Sequence, residues 1–99
     1  MEINKNAAGD KLTLEIVGRL DAATAPQLEK ELNASLTGVK SLVFDFSKLE
    51  YIASAGLRVL LVAQKRMNKQ GDMVIRNVKE EVNEVLEMTG FSDFLNIER

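Results

Sequence analysis

Ser41-Leu42-Val43-Phe44-Asp45-Phe46 is a continuous apolar run of strand length that leads through a short turn into a helix opening on small residues, Ala53-Ser54-Ala55-Gly56. A run of this kind suits the centre of a sheet covered by helices, so the chain is constrained toward an α/β arrangement. The segments around it agree. Lys11 to Gly18 alternates Leu12, Leu14 and Ile16 against polar or mixed residues, the period of a half-buried strand that Gly18 ends or bends. Glu2 to Asn6 is its expected antiparallel partner, joined through a hairpin at Gly9-Asp10. Thr24 followed three residues later by Gln27 has the form of a capping box, with Pro26 acceptable in the first turn of a helix from about Ala25 to Leu36. Leu28, Leu32 and Leu36 form its buried stripe, and Gly38 stops it.

The second half continues the alternation. Leu57, Leu60, Leu61 and Met67 predict a helix from Ala55 to about Asn68, closed by Gln70-Gly71. Asp72 to Arg76 is a further strand, Lys79 to Thr89 a helix carrying Val82, Val85 and Leu86, with Gly90 as its C′ residue, and Phe94 to Ile97 a last short strand. The expected order is β-β-α-β-α-β-α-β, with parallel pairing and right-handed crossovers in the second half. The 99 residues, 45% of them hydrophobic, are the size of one domain, and residues 1–99 are read as a single one.

Composition removes several function classes. The chain has no histidine and no cysteine, which excludes histidine-based catalysis, thiolate chemistry, disulfides and cysteine metal sites. The 13 basic and 15 acidic residues are spread along the chain, so no basic patch offers itself to nucleic acid. No apolar run approaches the roughly 18 residues that span a bilayer, and Glu2, Asn4, Lys5 and Asn6 are unlike a signal peptide. No direct membrane insertion and a cytoplasmic location are the expectation. No closely spaced carboxylate set and no phosphate-binding glycine loop is present, so neither a catalytic residue, a metal nor a cofactor is expected.

What remains chemically suggestive is Ser54. At a helix start the first backbone N–H groups lack intrahelical partners and carry the positive end of the macrodipole, so a phosphate on that hydroxyl would be well received. The plain alternative is an N-cap serine. Asp21 reads first as a turn residue and Thr24 as a cap, while Asp45 and Ser47 suit hydrogen bonds within the turn that follows the central strand. Gly56 suits the close approach of another backbone or of a partner.

Three stretches resemble the STAS domain, and within it the anti-sigma factor antagonists. They are Gly18-Arg19-Leu20-Asp21-Ala22-Ala23-Thr24, then Asp45 to Leu57, then Met88-Thr89-Gly90-Phe91. The resemblance implies the STAS fold over essentially the whole chain. It also implies a partner-switching protein that is not an enzyme. Such an antagonist binds an anti-sigma factor that is also an ATP-dependent serine kinase, and so frees a sigma factor for transcription. Phosphorylation of Ser54 by that kinase separates the two, and a metal-dependent PP2C-type phosphatase resets the switch. The implied partner-binding residues are Asp21, Thr24, Ala53, Ser54, Ala55, Gly56 and Leu57. Ala53 departs from the aspartate many relatives carry there, and Ala55 leaves Ser54 as the one hydroxyl of the turn. The competing reading is a non-phosphorylated cytoplasmic STAS subunit or regulatory domain of a membrane transporter of lipid or anions.

Overall fold

In the computed structural model, which describes residues 1–98, a six-stranded mixed sheet carries its helices on connections between strands. The elements in chain order are β1 (Glu2–Ala8), β2 (Lys11–Leu20), α1 (Ala25–Ser35), β3 (Ser41–Asp45), β4 (Leu49–Ile52), α2 (Ser54–Met67), β5 (Asp72–Arg76), α3 (Glu80–Met88), a 3-10 turn (Phe91–Asp93) and β6 (Ile97–Glu98). The sheet order is β1-β2-β3-β5-β6, antiparallel for the first pair and parallel thereafter, with β4 paired to β2. The α/β class, the mostly parallel sheet and the central place of β3 follow the sequence reading.

Strand alternation sends Leu12, Leu14 and Ile16 of β2 and Leu42 and Phe44 of β3 into one core. Leu28 and Leu32 of α1, Leu57 and Leu60 of α2, and Val82 and Leu86 of α3 close over it. β3 is buried on both faces, because Val43 on the opposite side is also shielded. The acidic residues of α3, Glu80, Glu81, Glu84 and Glu87, stay exposed, as a solvated helix face should.

Two expectations are corrected and one strand is added. β4 is absent from the expected order. It exists because β2 outlasts its first partner: β3 pairs with Lys11 to Glu15, and the rest of β2 is left free for Leu49–Ile52. Gly18, at φ +100°, bends the strand there, its N–H donates to the Lys48 carbonyl at 3.0 Å, and the register shifts between Gly18 and Arg19. The last strand is Ile97–Glu98 rather than Phe94–Ile97, since Phe91 to Asp93 turn as a 3-10 helix after Gly90 and leave Phe94 exposed. The Thr24–Gln27 capping box does not form: Thr24 sits at the N-cap position with helical angles (φ −104°, ψ −20°) and makes no side-chain cap bond. Its hydroxyl is engaged elsewhere.

Candidate functional site

Parallel strands deliver their C-terminal ends to one side of a sheet, so the turns after β2 and after β4 must meet there. Leu20 pairs with Ile52, and the Ala53 N–H donates to the Leu20 carbonyl at 2.9 Å. Asp21 and Ala53 therefore leave the sheet side by side, one leading into α1 and the other into α2.

The first turn is held by its own side chains. One Asp21 carboxylate oxygen, Oδ1, accepts from the Ala23 N–H at 3.1 Å and the Thr24 N–H at 3.2 Å. The Thr24 hydroxyl accepts from the Asp21 N–H at 2.9 Å and donates to the Arg19 carbonyl at 2.9 Å. This Asx arrangement takes the Thr24 N–H that a capping box would have given to Gln27, and the Gln27 N–H donates instead to the Thr24 carbonyl at 3.0 Å, so the box is absent. Arg19 lies 3.7 Å from the other Asp21 oxygen through Nε, and its Cζ stands 4.3 Å from the centre of the Tyr51 ring on β4. Burial works against ionisation of Asp21, but the bonds from Thr24 and Ala23 and the Arg19 charge together hold its pKa below the ordinary aspartate value.

The second turn begins differently from the expectation. Ala53 is the N-cap of α2, in extended conformation (φ −114°, ψ 174°), and Ser54 is the first residue inside the helix. An N-cap role for Ser54 is thereby corrected. Ala53 has no side-chain oxygen to offer, and Ser54 is exposed with no side-chain cap bond. Ala55 is half-buried, while Gly56 and Leu57 are buried under the turn. A Cβ on Gly56 would stand 2.6 Å from Leu20 Cγ and 3.2 Å from Ile52 Cγ1, so the close approach this glycine permits is by core side chains rather than by a backbone or a partner. Gly56 and Leu57 support the turn from below; Asp21, Thr24, Ala53, Ser54 and Ala55 form its accessible part.

A third turn, after β3, braces the same end of the sheet. Asp45 Oδ1 accepts from the Ser47 N–H at 2.9 Å and from the Asn77 amide at 3.2 Å, with Asn77 in the left-handed region at φ +59°. Burial opposes ionisation of Asp45, and is outweighed by the Ser47 and Asn77 bonds with help from Lys48, so its pKa is lowered. A carboxyl whose folded pKa is lowered contributes stability above its unfolded pKa, near 3.9, and loses it as pH falls through the folded value. Asp45→Asn should therefore destabilise the protein at about pH 7 and progressively less toward about pH 3. Urea unfolding of both forms across that range checks this, and a difference independent of pH would contradict it.

Between α1 and α2 runs a groove of about 310 Å³ whose floor includes Ala25, Leu32, Ala55 and Val59. Arg58 and Arg66 stand on its rim beside Val62, whose side chain is 60% exposed. Arg19, Tyr51 and Arg58 were not among the residues singled out in the sequence. For Arg58 a signal was available in its i+4 spacing from Ser54. Among the described residues no group of three or more Asp, Glu, His or Cys is placed to hold a metal, and no helix is long and apolar enough to cross a membrane.

A mixed, mostly parallel sheet with flanking helices, in this element order, is the STAS fold. The family model for the STAS domain matches residues 2–99, and the chain belongs to that family. It is 38% identical over 93 residues to a Bordetella bronchiseptica protein named as an anti-sigma factor antagonist, BtrV, covering 92% of this chain and 80% of that one. Its fold matches a Thermotoga maritima protein assigned as an anti-sigma factor antagonist, with a TM-score of 0.89 at 20% identity over 98% of this chain and 86% of that one. It also matches SpoIIAA in its unphosphorylated form, with a TM-score of 0.84 at 15% identity over 97% of this chain and 87% of that one. The phosphorylated form of the Bacillus protein matches with a TM-score of 0.75 at 14% identity, over 97% and 90%.

Proposed function

We propose that this chain is a single-domain, cytoplasmic anti-sigma factor antagonist: a binding module, not an enzyme, that engages an anti-sigma factor with serine-kinase activity and so releases a sigma factor. Phosphorylation of Ser54 ends the engagement, and a PP2C-type phosphatase restores it. The observation that carries this reading is the state of Ser54. It is exposed at the first position of α2 and flanked by two alanines, beside the Asp21–Thr24 turn, with no capping duty that would account for it. The 38% identity to BtrV supports the antagonist role, and the Asp21, Thr24, Ala53, Ser54 and Ala55 surface is the proposed kinase contact, with Gly56 and Leu57 setting its shape.

Capture of partners from its own cells by the tagged full chain separates this from the transporter reading. Recovery of a kinase-type anti-sigma factor with the unmodified protein is the expected result, and co-purification with a membrane ATPase or anion carrier instead would overturn the proposal.

A further inference from the structure

Arg58 stands one helical turn beyond Ser54 on the same face of α2. Residues four apart on a helix have Cβ atoms about 5–6 Å from one another. Helical Cα–Cβ bonds also tilt toward the N-terminus, so a long side chain at position 58 leans back over the first turn. Arg58 is exposed and enters none of the ion pairs among the described residues. It is also the one basic residue of α2 before Lys65. The other cations near this end of the sheet are already engaged, Arg19 by Asp21 and the Tyr51 ring, Lys48 by Glu15 at 3.9 Å and Arg76 by Glu98 at 3.0 Å. The remaining charged groups on the adjoining elements are Asp21 before α1, Glu29, Lys30 and Glu31 on α1, and Glu50 on β4; Lys30 is on another element, whereas Arg58 shares its helix face with Ser54.

We propose that Arg58 is the on-chain receptor for a phosphate carried by Ser54, its guanidinium donating to the phosphate oxygens across one turn of helix. This rests on the modification of Ser54 proposed above and says how the modified state is read. The N–H groups at the start of α2 would attract an anion at any helix, and they do not distinguish this one. Arg58 does, and it brings a second consequence because it also lines the rim of the α1–α2 groove. Turned back onto the phosphate, it takes its positive charge away from the groove mouth. Modification thus adds a dianion at the turn and withdraws a cation from the adjacent apolar surface in the same event.

The test is a phosphorus NMR titration of the full chain carrying phosphoserine at position 54, introduced during synthesis, in wild-type, Arg58→Gln and Arg66→Gln backgrounds. Arg58 favours the doubly charged phosphate, so its loss should raise the second phosphate pKa by about 0.3 unit. Arg66→Gln, two turns further along, should leave it unchanged. Equal pKa values in wild type and Arg58→Gln would overturn the proposal, as would an equal shift from Arg66→Gln, which would mean a diffuse field rather than a contact. Both substituted side chains lie at the groove rim, and unchanged amide spectra verify that the fold is intact. Because the phosphate is installed synthetically, this outcome is separate from whether cells modify Ser54, which is read on the native protein.

Discussion

A phosphate on Ser54 is expected to lower affinity for the kinase partner about a thousandfold, equivalent to roughly 4 kcal/mol. Ser54→Ala should bind within a few-fold of wild type and resist release by ATP, and Ser54→Asp, with one charge and a different shape, should lose about tenfold, or roughly 1.4 kcal/mol. The magnitude follows from where the group sits. Ser54 is exposed, so in the free protein the added charge of about −1.5 to −2 remains in water and costs little. Its attraction to the helix N-terminus is worth only about 0.3–1 kcal/mol, too little to reorganise the sheet beneath. In a complex the same dianion must be desolvated against a partner surface, which costs several kcal/mol, and an exposed pair with Arg58 one turn along, worth about 0.2–0.5 kcal/mol, offsets little of it. Exclusion at the interface therefore suffices without a change of fold. Calorimetric titration of the three forms against the purified kinase measures the effect. Equal affinity of phosphorylated and unmodified protein would contradict it.

Gly71→Ala is expected to be the most damaging small substitution in the chain, at about 3 kcal/mol. The connection from α2 to β5 passes directly over the backbone entering β3. The Gly71 N–H donates to the Met67 carbonyl at 2.7 Å, and the next N–H, of Asp72, donates to the Lys40 carbonyl at 2.9 Å. A Cβ at position 71 would fall 1.9 Å from that same Lys40 oxygen and 2.6 Å from its carbonyl carbon. These are backbone atoms fixed by the β3–β5 pairing of Ser41 with Asp72, so they cannot swing aside as a side chain would. The strands must separate locally. For a domain of this size the loss corresponds to a fall in Tm of about 12–24 °C. Urea and thermal unfolding read it directly, and a loss below about 1 kcal/mol would mean that the crossing is looser than described.

Gly71 also marks the boundary of what the sequence discloses. Its place after α2 was readable as a helix stop, but the reason only glycine fits is a contact with Lys40 that lies far away along the chain. Strand β5 was legible over Asp72–Arg76 as the short apolar run Met73-Val74-Ile75 directly after a helix stop, which is a local property. β4 was not. It buries only its ends, Leu49 and Ile52, leaving Glu50 and Tyr51 exposed, a spacing that matches neither a two-residue period nor a helix long enough to recognise. Its existence is dictated by the bend at Gly18 and the unfilled edge of β2, which are tertiary facts.

The candidate site divides in the same way. That a serine among small residues begins a helix after a buried strand was visible in the residues themselves. Which of them caps the helix was decided by Ala53 adopting an extended conformation, and Ser54 was left free as a result. Thr24 had the right partner for a capping box in Gln27, yet the Asp21 carboxylate took the neighbouring N–H groups first. Gly56 and Leu57 entered through the motif as partner-binding residues; both are buried, Gly56 close against Leu20 and Ile52, beneath the accessible part of the turn. Arg19 and Tyr51 were invisible as a pair, because only the pairing of β2 with β4 brings them together.

Intact and peptide mass spectrometry of the protein isolated from its native cells, with and without phosphatase treatment, decides whether Ser54 is the switch. A phosphatase-sensitive phosphate is expected on the peptide containing Ser54 and on no other residue of that turn. Ser54 found unmodified under every growth condition tried, including those in which the partner kinase is active, would contradict it.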